Sequence, residues 1–139
     1  MKTLKVEVQV KVEVYPTEDK EKVKQAVENI FGAFELAKKA HREGCLLTAK
    51  KENSESLSKF VNLLHRERIQ DAARSILFKG LKGNTITFYL NKQVAYAGHI
   101  SFCEPIAESP LGPIEVQISC DDSIELINWL APRTNYGNI

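Results

Sequence analysis

Val6, Val8, Val10, Val12 and Val14 alternate with Glu7, Gln9, Lys11 and Glu13. A helix cannot hold such a pattern, because its period of 3.6 would scatter the valines around the axis. An extended strand puts them all on one side. The stretch therefore demands a sheet with one dry and one wet face, and apolar elements to cover the dry one.

The rest of the chain supplies that cover. "YPTED" ends the strand: Thr17 reads as an N-cap, and Glu18 and Asp19 suit the positive end of a helix dipole. Val23, Ala26, Val27, Ile30 and Phe31 then recur at helical spacing up to Gly32. Residues 34–51 read as two strands about the polar turn "HREG", with Gly44 supplying the turn's conformational freedom. Leu57, Phe60, Val61 and Leu64 make one helical face, and Ile69, Ala72, Ala73, Ile76 and Leu77 another. The step from Leu64 to Ile69 is out of phase with a continuous helix, which predicts a kink or break at 65–68.

"TITFYL", "HISFC" and "IEVQIS" alternate again, "PIAESPLGP" is a Pro-rich loop, and Asp121 or Asp122 caps a last helix ended by Pro132. The expected fold is α+β: a single mixed or antiparallel sheet with helices packed on one face. One domain over residues 1–139 is expected, with 133–139 a loose tail.

The balance of 43% hydrophobic and 27% charged residues fits a globular chain. No apolar run is long enough for a bilayer, and the N-terminus resembles neither a signal nor a transit peptide, so a cytoplasmic protein is expected. Cys45, Cys103 and Cys120 show no CxxC or Cys/His spacing. They read as thiols of a reducing compartment, with no metal and no cofactor expected.

Nucleotide-loop, zincin and nucleophile-elbow motifs are absent, and no enzyme is expected. The remaining catalytic reading joins His99 with Asn91 and Gln93 in a small-ligand site. "GLKG" at 80–83 matches a bare GxxG, yet between a helix and a strand it reads as a stop and turn. Tyr89 alone among aromatics sits on the outward face of the confident strands, too few for base stacking across a sheet.

Charge is uneven along the chain. The net is −1 over residues 1–37, +7 over 38–92 and −5 over 93–139. A basic middle favours a polyanion if folding gathers it on one face. Lys59, Arg66, Arg68, Arg74, Lys79 and Lys82 belong to the long helical region, and Arg66 and Arg74 share a face if that helix is unbroken. Lys38, Lys39, Arg42, Lys50 and Lys51 crowd the preceding hairpin.

Four blocks carry a resemblance: "VEVYPTEDKEKVKQAVENIF", "RIQDAARSIL", "FYLNKQVAYAGHISF" and "PLGPIEVQI". In this order they resemble the blocks of a small archaeal family of predicted RNA-binding proteins with a suggested exosome association. The resemblance runs from about residue 5 to 118. It implies a fold similar to the ribosomal protein that holds 5S rRNA, a homodimer, RNA as partner and a place in an RNA-processing complex. It assigns no catalytic residue.

Carried over from "RIQDAAR" and "LNKQ", the candidate RNA contacts are Arg68, Arg74, Asn91, Lys92 and Gln93, joined by Arg66, Lys79 and Lys82 of the basic stretch. Lys92 would neutralise a phosphate. Asn91 and Gln93 either donate to RNA or satisfy the backbone of a short helical turn beginning at "NKQ", with "VAYA" packed beneath it. The leading expectation is a non-enzymatic RNA-binding module. The alternative is a homodimeric scaffold that pairs through Thr87, Tyr89, His99, Ser101 and Gln117 of the outward sheet face.

Overall fold

In the computed structural model, which describes residues 5–32, 37–41, 44–52, 54–104 and 113–133, the valine strand lies inside the sheet. β1 (Val6–Val14) buries all five valines and leaves the alternate residues half-buried. It pairs on one side with β3 (Gly44–Glu52) and on the other with β6 (Pro113–Cys120). β2 (Ala37–His41) extends the sheet beyond β3. β5 (Thr85–Asn91) extends it beyond β6, and β4 (Leu81–Lys82) adds two residues at that edge. Among the described residues the order is β2-β3-β1-β6-β5-β4, and every pairing is antiparallel.

Among the described residues five α-helices cover the dry face: α1 (Lys20–Phe31), α2 (Ser58–Arg66), α3 (Gln70–Lys79), α4 (Lys92–Tyr96) and α5 (Ser123–Leu130). Their apolar residues join the valines, Leu47, Phe88, Val116 and Ile118 in one core. Each fully buried valine or leucine side chain contributes about 1.5–3 kcal/mol before chain entropy is charged. An aromatic ladder ties the layers together: Phe31, Phe60, Phe88 and Phe102 have successive ring centroids 5.5, 5.5 and 5.8 Å apart. The architecture is the expected α+β, with an antiparallel sheet. None of the described helices is long and apolar enough to cross a membrane.

Local chemistry departs from the sequence expectation in three places. The N-cap of α1 is Asp19, not Thr17: its carboxylate accepts from Glu21 N at 2.9 Å. The chain first makes a turn, with Glu18 N donating to Tyr15 O at 2.9 Å, so the helix starts later. Gly44 is the first residue of β3, and a β-carbon there would strike the Val14 carbonyl, so close approach to β1 is what requires glycine. Residues 42 and 43 of "HREG" lie outside the described residues, as do residues 105–112 of the Pro-rich loop and residues 134–139 of the tail.

The expected strand at "HISFC" reduces to a single bridge, Leu90 to Phe102. Asn91 N donates to Ser101 O and Cys103 N to Tyr89 O, at 2.8 and 3.0 Å. The chain thus touches the β5 edge briefly where β4 has run out. "GLKG" is a stop and turn as expected: Gly80 ends α3 against the Thr87 carbonyl, with no room for a β-carbon, and Gly83 turns the chain at φ 59°.

The predicted break between α2 and α3 is present, and its hydrogen bonds define it. Arg68 N donates to His65 O at 3.1 Å and Ile69 N reaches back to Leu64 O at 3.2 Å. This is a Schellman ending, whose penultimate position is left-handed and usually glycine. Here it is Arg68, at φ 55°. Arg66 and Arg74 therefore sit on separate helices, and the shared face expected of an unbroken helix does not form.

Candidate nucleic-acid interface

The dry side of α2 is Phe60, Leu63 and Leu64, all buried. That leaves Lys59, Asn62 and Arg66, spaced at i, i+3 and i+7, as one exposed row. This row is one wall of a groove of about 430 Å³, lined also by Asn29 of α1 and by Tyr96 and Gly98 at the end of α4. Such a volume is within the range of ligand-sized clefts.

The groove is held by hydrogen bonds. Asn29 Nδ2 donates to Ala95 O and Tyr96 O at 3.1 and 2.9 Å, and its Oδ1 accepts from Gln25 Nε2 at 2.6 Å. One amide thus satisfies the carbonyls that end α4 and fixes that turn on α1. Lys59 Nζ donates to Glu28 O at 3.0 Å, close to the negative end of α1. Its ammonium has two further donors for an incoming anion. Arg66 is exposed and, among the described residues, makes no ion pair.

The other residues expected at the interface are dispersed. Arg68 is exposed at the break just beyond the groove. Arg74 turns toward α5: its Nη1 donates to Ala131 O at 3.3 Å and its guanidinium lies 5.0 Å from the Phe78 ring centre. Lys79 lines a separate cavity at the β5 edge with Tyr89, Phe102 and Glu104. Lys82 is exposed on β4, cross-strand from Thr85.

Asn91 is the N-cap of α4, its Oδ1 accepting from Val94 N at 3.0 Å, so of the two uses open to it the structure displays the backbone one. Gln93 is exposed beside Lys22 and Asp19 in a second groove, on the α1 N-terminal side of Tyr96.

Lys92 is corrected outright. Its side chain is only 5% exposed. Nζ donates to Glu18 Oε1 and Oε2 at 3.0 and 3.1 Å and to Glu13 O at 2.7 Å, and stands 5.4 Å from the Tyr15 ring centre. A buried ammonium already neutralised by a buried carboxylate offers nothing to a phosphate. Lys92 instead pins α4 to the β1–α1 turn. "VAYA" does not pack as a unit either: Ala95 is buried, but Tyr96 is 47% exposed.

His99 is also placed differently. It leaves the sheet and its Nδ1 donates to Glu67 Oε2 at 2.7 Å, on the helix side. Glu67 Oε1 accepts from Ile100 N at 3.1 Å. Burial would raise the Glu67 carboxyl, but the hydrogen bonds from His99 and Ile100 and the nearby charges of His99 and Arg66 outweigh it and hold it below its ordinary value. His99, Asn91 and Gln93 thus have separate surroundings, and the grouping that a small-ligand catalytic reading would need is not assembled. No cluster of His, Cys, Asp or Glu suited to a metal occurs among the described residues.

Cations of the helical stretch and of the connection after "FYL" do not converge into one patch: the groove brings Lys59 and Arg66 beside an uncharged part of the connection, whose cation Lys92 is buried. Arg66 represents the helical stretch, and Tyr96 to Gly98 represent the connection after "FYL". Asn29, Asn62 and Tyr96 were not foreseen. The spacing of Lys59, Asn62 and Arg66 signals a shared face, whereas nothing local places Asn29 beside residues 95 and 96.

Comparison with known proteins agrees with this fold. A family model described as RNA binding matches residues 7–120. The chain is 48% identical to a UPF0201 protein of Sulfurisphaera tokodaii over 128 residues, covering 92% of this chain and 88% of the relative. It is 44% identical to a UPF0201 protein of Metallosphaera sedula over 128 residues, 92% of this chain and 89% of the relative. Among solved structures, the UPF0201 protein from Methanococcus jannaschii superposes with a TM-score of 0.83 at 39% identity, covering 96% of this chain and 98% of that one. The chain belongs to the archaeal UPF0201 family, and the family model that it matches is described as RNA binding.

Proposed function

We propose that the protein is a non-enzymatic module that binds structured RNA through the groove between α1, α2 and α4, reading phosphate backbone and shape. One observation carries the reading: Lys59, Asn62 and Arg66 line one wall of a groove whose other wall is fixed by the Asn29 amide. Cationic and amide donors on a rigid frame suit phosphate and sugar oxygens. Arg68, next to the groove, joins the surface, and Gln93 flanks it. Lys79 and Lys82 would serve only an RNA long enough to pass the β5 edge.

Ultraviolet cross-linking of the protein to structured RNA, followed by peptide mapping, tests the placement. Cross-linked nucleotides are expected on peptides containing residues 59–68 and 93–98. Cross-links confined to the β2–β3 hairpin or to the wet face of the sheet would refute it.

A second reading, a homodimer through the wet face, is favoured by the half-buried residues there. Thr87 faces Gln117 and Tyr89 faces Glu115 across the β5–β6 pair. Burial, and then the Glu115 carboxylate, push the Tyr89 phenol up, as expected of a ring already partly shielded. A monomer by sedimentation at micromolar concentration would remove this reading without touching the helix-side groove.

A further inference from the structure

Tyr96 stands between two grooves. On one side lie Lys59, Asn62 and Arg66; on the other lie Asp19, Lys22 and Gln93, above the buried Glu18–Lys92 pair. The ring is 47% exposed, while the backbone that carries it is held by hydrogen bonds. Tyr96 O accepts from Asn29 at 2.9 Å, Ala97 N donates to Gln93 O at 3.2 Å and Gly98 N to Ala95 O at 2.9 Å. An aromatic side chain displayed on a fixed turn loses little entropy when a flat partner covers it.

We infer that Tyr96 is a stacking platform for an unpaired base, so that the site selects RNA carrying a single-stranded element over uninterrupted duplex. The inference rests on the proposed RNA-binding reading and deepens it. With phosphates on Lys59 and Arg66, the chain of an unpaired strand passes beside Tyr96 at the distance of an adjoining groove wall. A base on that ring has Gln93 and Lys22 on its far side for edge and sugar contacts. A base within an A-form helix is stacked on its neighbours and cannot lie on a protein ring without being extruded. Stacking is indifferent to base identity, so the platform gives preference for strandedness and not for sequence.

The test uses the full chain with two RNAs of equal phosphate number, a hairpin with an unpaired loop and a blunt duplex, measured for wild type, Tyr96→Ala, Tyr96→Phe and Arg66→Ala. Tyr96→Ala is expected to weaken hairpin binding about 5- to 100-fold. Duplex binding is expected to fall far less, the salt dependence to stay the same because no phosphate contact is removed, and Tyr96→Phe to keep most of the affinity. Arg66→Ala weakens both RNAs.

Equal loss on hairpin and duplex, or no loss on the hairpin, overturns the platform while the groove stands, provided Arg66→Ala still weakens binding. No measurable RNA binding by wild type overturns both. Tyr96 is exposed, so its variants are expected to fold. A circular dichroism melt confirms this, and a cross-link from 5-iodouridine in the loop to Tyr96 gives a readout independent of affinity.

Discussion

Lys92 shows how far a single side chain can depart from its sequence setting. In "LNKQ", between two apolar stretches, a lysine reads as solvent-facing. Its partner Glu18 is 74 positions away, and only the packed fold brings them together. Removing one member of a buried pair strands the other. Lys92→Ala is predicted to cost about 3–5 kcal/mol in denaturant unfolding, and Lys92→Met with Glu18→Gln to recover most of it. Neither change is predicted to alter the salt dependence of RNA binding.

Arg68 is the opposite case. Its left-handed backbone costs about 1 kcal/mol relative to glycine, so Arg68→Gly is predicted to stabilise the fold by about that amount in the same experiment. If the guanidinium contacts a phosphate, as proposed, the variant also lowers the salt slope by roughly 0.7–0.9. A residue kept at a strained position is consistent with a task that glycine cannot perform.

At the scale of elements, periodicity made most of the fold legible. β1, α1 and the α2–α3 break follow from apolar spacing, because each of these helices and β1 buries one face against one core; the β2–β3 hairpin is legible only from its polar turn, and Ala37–Ala40 of β2 are exposed. What spacing could not supply was pairing. "HISFC" alternates like a strand, yet after Gly98 at φ 89° it has only the end of β5 to pair with, so one bridge forms. For the site, the face of α2 was readable from i, i+3, i+7, but Tyr96 was disguised by its apolar neighbours. Its exposure depends on how α4 sits on α1.

The tie between the α2–α3 break and residues 99–100 is itself testable. Glu67 binds His99 and Ile100 as a carboxylate, and its carboxyl lies below the ordinary value of 4.5. The tie therefore contributes fully above that value and is lost as pH falls through the lowered one. Amide exchange at Ile100, corrected for intrinsic rate, is expected to stay slow at neutral pH and to accelerate on acidification below 4.5. Glu67→Gln should remove that step. His99 is 63% exposed, so the effect is local opening and not global unfolding.

For the whole molecule, a nearly neutral chain with a +7 middle resolves into two unlike faces. The wet side of the sheet mixes Glu7, Lys11, Glu13 and Glu115, which gives it no single sign. The helical side concentrates Lys59 and Arg66 beside an amide-lined groove, while Lys92 is neutralised inside. The groove beside Lys59 and Arg66 is the polyanion site we propose, and the family model that the chain matches is described as RNA binding.

The most direct measurement is the slope of log affinity against log salt for one structured RNA, wild type beside Lys59→Ala/Arg66→Ala. Each phosphate no longer neutralised should reduce the slope by about 0.7–0.9, so the double variant is expected to fall by roughly 1.4–1.8. An unchanged slope, with the variant folded, would contradict the placement of the RNA backbone in this groove.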